Sequence, residues 1–505
     1  MKAGVATAVL AAFLVLAVVL GLLAARGRDS GAGTGLAHWS LGGRSMGPLL
    51  SWVLLAGEGY TSFSYLGAAG WGYAYGVPVL YVVAYMSCGF AVLHLVGPLL
   101  WKYAHTHHLI GMSDIVAHRY RRPWLGAVVA VTATVFMLPY IQLQIMGMGV
   151  VVSTVTYGAV SINWSYAVAF VVSTAFIIGS GLRGSAWVSV LKDALVIGTL
   201  LFLAAYLPWH YFDGFGGLFE QVAADYAQWL TLPGHGAGAD GRGELGVTWF
   251  VTTVVVNSLV LMVFPSTVAG LLAARDADVV RLNTTWLPFY NLLLFVPMLL
   301  GMTALFVVPG LTGTETDQAL LRLVVDGLPA WVVGIVGVAA ALSALVPMAV
   351  FMLVIGTMWG RSVLPLLFRT ISDTRQHQSA KAVVLVTGAV ALAATYLAPS
   401  TLVRLSLVSC EAMAQLLPLV VLGLLWRGLH FTAGVSGLVV GALFVFILVS
   451  TGNDPLAGVN AGLIGLAANL LTVLAVTASR KATQRHDDDD RPDSEVLAWT
   501  RNVSI

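Results

Sequence analysis

Apolar runs of about 20 residues, each long enough to cross the roughly 30 Å hydrocarbon core of a bilayer as a helix, recur along this chain with short polar breaks between them. One span per run predicts thirteen helices, centred near residues 15, 60, 90, 138, 170, 197, 260, 296, 343, 388, 413, 441 and 467. The fold class is therefore an all-α polytopic membrane protein. The first run, Val5 to Ala25, exceeds the roughly 7 to 15 apolar residues of a signal peptide, and its stronger basic flank, Arg26 and Arg28, follows it. It reads as a spanning helix with its N-terminus outside.

One run departs from the pattern. From Pro48 the chain is apolar, yet Gly57 and Gly59 bracket Glu58 near mid-span. A carboxylate at that depth costs roughly 3 kcal/mol to insert. Paired glycines let the backbone unwind, which a membrane tolerates only where protein or a cavity covers the freed groups. Broken helices of this kind hold ion and solute sites in carriers. A protonated acid packed against a neighbouring helix is the competing account of Glu58.

Composition narrows the class further. With 58% hydrophobic and only 10% charged residues, the 505-residue chain lies far from the quarter or so of charged residues in a soluble domain. The net charge of +2 gives no reason to expect nucleic acid. The placement of charge is informative instead: of 25 basic residues, 21 fall on one side of the expected spans, among them Arg44, Arg183, Lys192, Arg275 and Arg361. Only Lys2, Arg242, Arg322 and Arg404 fall on the other. Positive charge accumulates on the cytoplasmic side, so the N-terminus is expected outside and the tail from Ser479, with Asp487 to Asp490, in the cytoplasm of a plasma-membrane protein. Cys88 and Cys410 both lie in apolar runs and are expected as small buried side chains. His105, His107, His108 and His118 share one inner loop, but no Cys or paired carboxylate stands at ligand spacing beside them, so no metal is expected.

The stretch Trp39-Ser-Leu-Gly-Gly-Arg-Ser-Met-Gly47, followed by Tyr65-Leu-Gly-Ala-Ala-Gly-Trp-Gly-Tyr-Ala-Tyr-Gly76, resembles the solute:sodium symporter family. Three further matches stand in the same order: Gly181 to Leu191, Phe264-Pro265 with Ala273-Ala-Arg275, and Pro418 through Trp426-Arg427 to Gly437 and Gly441. The resemblance implies a five-plus-five inverted-repeat core of helices 2 to 11, with helices 2 and 7 broken and helices 1, 12 and 13 peripheral. In domain terms the chain is a single membrane-embedded unit over 1–505, with the core at 47–427, peripheral parts at 1–46 and 428–478, and a tail at 479–505.

The resemblance also places a coupling cation between carbonyls of helix 2 and a hydroxyl pair on helix 9. Counting back from Arg361-Ser362-Val363-Leu364, that pair falls on Val346-Pro347, and both hydroxyls are missing. The run Ala344 to Ala349 is similar to the monocarboxylate permease branch, which points to short organic acids. Pro347 has no N–H, so the Ser343 carbonyl loses its helical partner. It would join the Gly57 and Tyr60 carbonyls around a cation, since hard cations take oxygen ligands. A plain proline kink is the competing account.

Glu58 is the first candidate for a coupling proton and Glu411, on helix 11, the second. Candidate solute-binding residues are the polar ones on apolar helices: Thr61 and Ser64, Tyr140, Gln142 and Gln144, and Asn257. At i, i+2 the two glutamines cannot share one face, so at most one meets solute. The exposed N–H end at the break would favour an anion; Arg404 reads first as an interfacial arginine snorkelling to water, with attraction of an anion at the entrance as the competing account. The expected function is secondary active symport of a monocarboxylate such as lactate, pyruvate or acetate with H+ or Na+, with no cofactor. A sodium-coupled symporter of amino acids or another solute is the alternative. A membrane enzyme lacks a motif here, with no His-Glu-x-x-His and no Gly-x-Ser-x-Gly, and the segment after Ser479 leaves little room for the signalling domain of a sensor.

Two outcomes are expected. Impermeant labelling of single cysteines at Gly4 and Ser479 in intact cells should modify only the first; modification of the second would reverse the topology. Glu58→Gln retains the hydrogen-bonding capacity of the neutral acid but cannot titrate. It should exchange solute across liposomes yet lose accumulation driven by a pH gradient. Undiminished accumulation would move the proton to Glu411 or leave the cation to the Gly57, Tyr60 and Ser343 carbonyls.

Overall fold

The structure is a computed structural model that describes residues 2–26, 35–235, 245–368 and 371–483; the side chain of Glu58, Arg242 and the run Asp487 to Asp490 lie outside the described residues. Helices account for nearly all of what is described. Ten are long and apolar enough to cross a membrane, and the difference from thirteen has a physical origin. The spans expected near 170 and 197 form one 51-residue stretch, Ile162–Phe212, bent at Gly181 (φ 61°, ψ −169°). The two spans expected to be broken are broken, so neither half passes by length.

We number the spans α1 (Lys2–Arg26), α2a (Pro48–Gly59) and α2b (Ala68–Ala74), α3 (Tyr81–Thr106), α4 (Pro123–Val155), α5 and α6 (before and after Gly181 in Ile162–Phe212), and α7a (Val247–Val260) and α7b (Pro265–Ala273). They continue with α8 (Ala277–Val307), α9 (Ala330–Met358), α10 (Asp373–Leu397), α11 (Leu402–Leu425), α12 (Phe431–Ser450) and α13 (Ala461–Thr483). The halves of α7 meet at 44° across residues 261–264. α9 is the central post, buried along its whole apolar window, and packs on α4, α5 and α6.

Without a hydrophobic force between helices in lipid, close backbone approach does the packing. A Cβ on Gly301 of α8 would lie 2.1 Å from the Ala69 carbonyl oxygen, and one on Gly72 of α2b would lie 2.9 Å from that of Met298. α12 and α13 meet in the same way at Gly441 and Gly465. Of the cysteines, Cys410 is buried, but Cys88 is exposed, contrary to expectation; it occupies the outward face of α3.

A short turn, Gly313–Gln318, lies across α2b: a Cβ on Gly70 would sit 2.8 Å from the Thr316 carbonyl oxygen. Asp317 in this turn is buried, and its Oδ2 accepts the backbone N–H of Leu402, the first residue of α11, at 3.0 Å. Burial pushes its carboxyl up to about 7, opposed by that one N–H. A carboxyl raised on folding contributes stability that is complete below its ordinary value of 3.8 and is lost as pH rises through about 7. Between about pH 5 and about pH 8 the melting temperature should therefore fall by a few degrees more for the parent than for Asp317→Asn, whose amide oxygen accepts the same N–H at every pH. Parallel pH profiles for the two proteins would remove Asp317 from this role.

Candidate functional site

α2a leaves the helical path at Tyr60 (φ −106°, ψ 75°). The last carbonyls of a helix have no partner within it, and most of those here are met by the backbone just beyond or by side chains. Ala56 O accepts the Tyr60 N–H at 3.2 Å, and Gly59 O accepts the Ser64 hydroxyl. The carbonyls of Gly57 and Tyr60 accept Nζ of Lys192, at 3.4 and 3.3 Å. On the amide side, Thr61 N–H donates to Ser64 Oγ at 3.0 Å, Ser62 N–H to Gln144 Oε1 at 3.3 Å and Phe63 N–H to Thr61 Oγ1 at 3.2 Å. Thr61, Ser64 and Gln144, expected as solute ligands, are thus engaged in closing the break. Its N–H groups are capped by side chains, so the break offers carbonyls to a cation and not N–H groups to an anion.

Lys192 corrects the sequence reading, which placed it in an inner segment. It lies eleven residues past the Gly181 bend, or roughly 16 Å along α6, and is 0% exposed. Asp193 Oδ1 is 3.0 Å from the ammonium. A lysine beside an aspartate at the foot of an apolar run looks like a solvated loop pair. The distinguishing signal was that the span begins at the Gly181 bend, before the pair. On the facing side, Val346 and Pro347 of α9 line a cavity of about 10 Å³ together with Gly57 and Ser189. The counted register therefore places the two hydroxyl-less positions opposite the break. Ser343, one turn earlier, is buried and its hydroxyl donates to Ala339 O at 2.8 Å. The Tyr60 hydroxyl donates to Tyr290 O at 2.9 Å, and the Tyr290 ring is 4.6 Å from the rings of both Tyr60 and Trp52.

Phe351 lines this cavity and a second one of about 30 Å³ at the centre of the bundle. Tyr140, Asn257, Thr267 and Cys410 line the central cavity amid Met86, Phe264 and other apolar side chains. The Tyr140 ring stands edge-on to Phe264 and Phe351, 5.2 Å from each. Asn257 donates to Thr253 O at 2.8 Å. Of the expected solute residues, Tyr140 and Asn257 are the two brought together here. Gln142 faces away and donates to Ala394 O and Ala398 O at the end of α10. Glu411 is buried against α13, where its Oε1 accepts the Asn460 amide at 2.8 Å, so it stands apart from the break. Arg404 is ion-paired with the buried Asp454, a partner the sequence did not reveal.

At the end of the bundle that carries most of the basic residues, hydrogen bonds and ion pairs tie separate segments together. Met46, just before α2a, exchanges backbone hydrogen bonds with the end of α7b: its N–H donates to Ala273 O at 3.2 Å and its carbonyl accepts the Arg275 N–H at 2.9 Å. Arg44 donates to Leu109 O. Asp114 accepts Arg361 Nε at 3.3 Å and the Ile110 N–H at 3.1 Å; burial raises its carboxyl while Arg361 and that N–H oppose the rise. Nearby, His107 packs 4.2 Å from the ring of His118, which is bonded to the Tyr103 hydroxyl.

Comparison with known proteins agrees with this architecture. A sequence profile of the Sodium:solute symporter family matches residues 39–441. The Bacillus subtilis (strain 168) protein named Uncharacterized symporter YhjB is 32% identical over 481 residues, covering 93% of this chain and 96% of the relative. The Monocarboxylate transport permease protein of Rhizobium johnstonii is 27% identical over 94% of this chain and 97% of its own. Among solved structures, a substrate-bound, outward-open Na+-coupled sialic acid symporter superposes with a TM-score of 0.76 at 14% identity, covering 94% of this chain and 97% of that one. Mhp1, a nucleobase-cation-symport-1 family transporter, gives 0.57 at 15% identity, covering 94% and 99%. With the profile running through most of its length and one relative above 30% identity across nearly all of it, the chain belongs to the Sodium:solute symporter family and is a membrane-embedded, cation-coupled symporter, not an enzyme.

Proposed function

We propose that this symporter carries a short monocarboxylate, such as lactate, pyruvate or acetate, by alternating access, with a proton and not sodium as the coupling cation. The observation that carries the reading is the position opposite the broken helix, where Val346 and Pro347 present no hydroxyl to an ion. The solute side is supported by the small, mostly apolar central cavity with Tyr140, Asn257 and Thr267 among its polar groups, by the run Ala344 to Ala349, and by the relative named as a monocarboxylate permease. Charge balance supports the same pairing. Lys192 is matched by Asp193 and Arg404 by Asp454, so neither offers an unmatched positive charge to a carboxylate. A carboxylate that travels with a proton crosses as a neutral pair and avoids the cost of an unpaired ion in a dry site. Glu58, on the segment between the Gly57 and Tyr60 carbonyls, remains the proton carrier in this reading.

The deciding experiment is uptake of labelled lactate, pyruvate and acetate by purified protein in liposomes, with sodium and proton gradients imposed separately. A pH gradient should drive accumulation several-fold above equilibrium and a sodium gradient should add nothing. Steep sodium dependence at fixed pH would replace the proton by sodium. Uptake of amino acids with exclusion of all three acids would replace the solute class.

A further inference from the structure

We infer that the carbonyl cage at the break of α2 is an ammonium site, filled by the chain's own Lys192, which stands as a tethered cation where a dissolved monovalent cation would otherwise bind. The inference rests on the reading of this carrier as one not coupled to sodium. The C-terminal end of a helix carries partial negative charge on its free carbonyls, and Gly57 O and Tyr60 O belong to that end of α2a. A primary ammonium has three N–H donors and no acceptor. Three oxygens lie within 3.4 Å of Lys192 Nζ: those two carbonyls and Asp193 Oδ1. A lysine that is 0% exposed is kept in such a place only by partners of this kind.

The cage leaves little room for a second cation. A Cβ on Gly57 would already lie 3.3 Å from Nζ, and the space beside it is about 10 Å³. The remaining wall is apolar (Leu54, Val346, Pro347, Val350 and Phe351) apart from the Ser189 hydroxyl, which donates to Ser185 O at 3.0 Å. A sodium ion there would face a fixed positive charge with the carbonyls already taken.

The test uses thermal melting of the full-length protein in detergent, in choline, sodium or ammonium chloride at matched ionic strength. The parent should melt at one temperature in all three salts. Lys192→Ala opens the cage. It should melt several degrees lower in choline and regain stability saturably in ammonium or sodium, as a ligand bound to the folded state requires. Lys192→Met removes the charge but keeps the volume, and should lose stability with no salt regaining it. If the alanine variant cannot be purified, Lys192→Ser is read in the same way. Saturable stabilisation of the parent by sodium, or an opened variant indifferent to all three salts, would overturn the inference. No carboxylate enters these melts, so a wrong solute class leaves them unmoved. Sodium-driven uptake by a parent whose melting ignores sodium would sink the proposed coupling ion alone.

Discussion

A helix interrupted inside a bilayer exposes amide and carbonyl groups that lipid cannot satisfy, and each one left bare costs several kcal/mol. The segment from Gly57 to Phe63 therefore dictates what must surround it. Ser64 and Thr61 turn back on their own backbone, Gln144 reaches in from α4, and Lys192 reaches in from α6. The partners come from three different helices, so the break organises the packing of the core around itself. Were the ammonium and a free monovalent ion to share this place at about 4 Å, their repulsion would be of the order of 4 kcal/mol at an effective dielectric of about 20, enough to decide which of them is present.

The central cavity and the cavity beside the break share one side chain. Phe351 forms part of both walls, and the rings of Tyr140 and Phe264 lean on it. The ring of Phe351 thus packs between the Tyr140–Phe264 cluster and the residues that face Gly57. Below, the backbone pairing of Met46 with Ala273 and Arg275 joins the first segment of α2 to the last of α7, so the two broken helices are bound at one end of the molecule.

Much of this was legible in the residues. The glycines around Glu58 marked the interruption, and the count from Arg361 brought Val346 and Pro347 opposite Gly57. What escaped were contacts between residues distant in sequence. Gln142 and Gln144 were rightly separated by the helical period, but nothing local says that one caps α10 and the other caps the break. Arg404 looked like an arginine reaching interfacial water or an entrance charge, because Asp454 lies fifty residues away. Lys192 was misplaced because charged pairs at the foot of a span ordinarily sit in water, and only the bend at Gly181 shows that the membrane segment has already begun. The shortfall in full-length spans has the same source, since bends and breaks alter the length of a helix without altering its apolar pattern.

The glycine contacts between α2b and α8 carry a mechanical consequence. With Gly72 against the Met298 carbonyl and Gly301 against that of Ala69, these two segments have no slack between them and must travel as one rigid body. α8 also holds α2a, through Tyr290 against Trp52 and Tyr60 and through Asn283, which donates to Pro48 O, and α2a is in turn clasped to α7b through Met46. The one stretch of α2 that departs from helical geometry, beginning at Tyr60, is thus fixed on both sides, and a change of angle between α2a and α2b would have to bend the backbone beside the carbonyls that Lys192 grips.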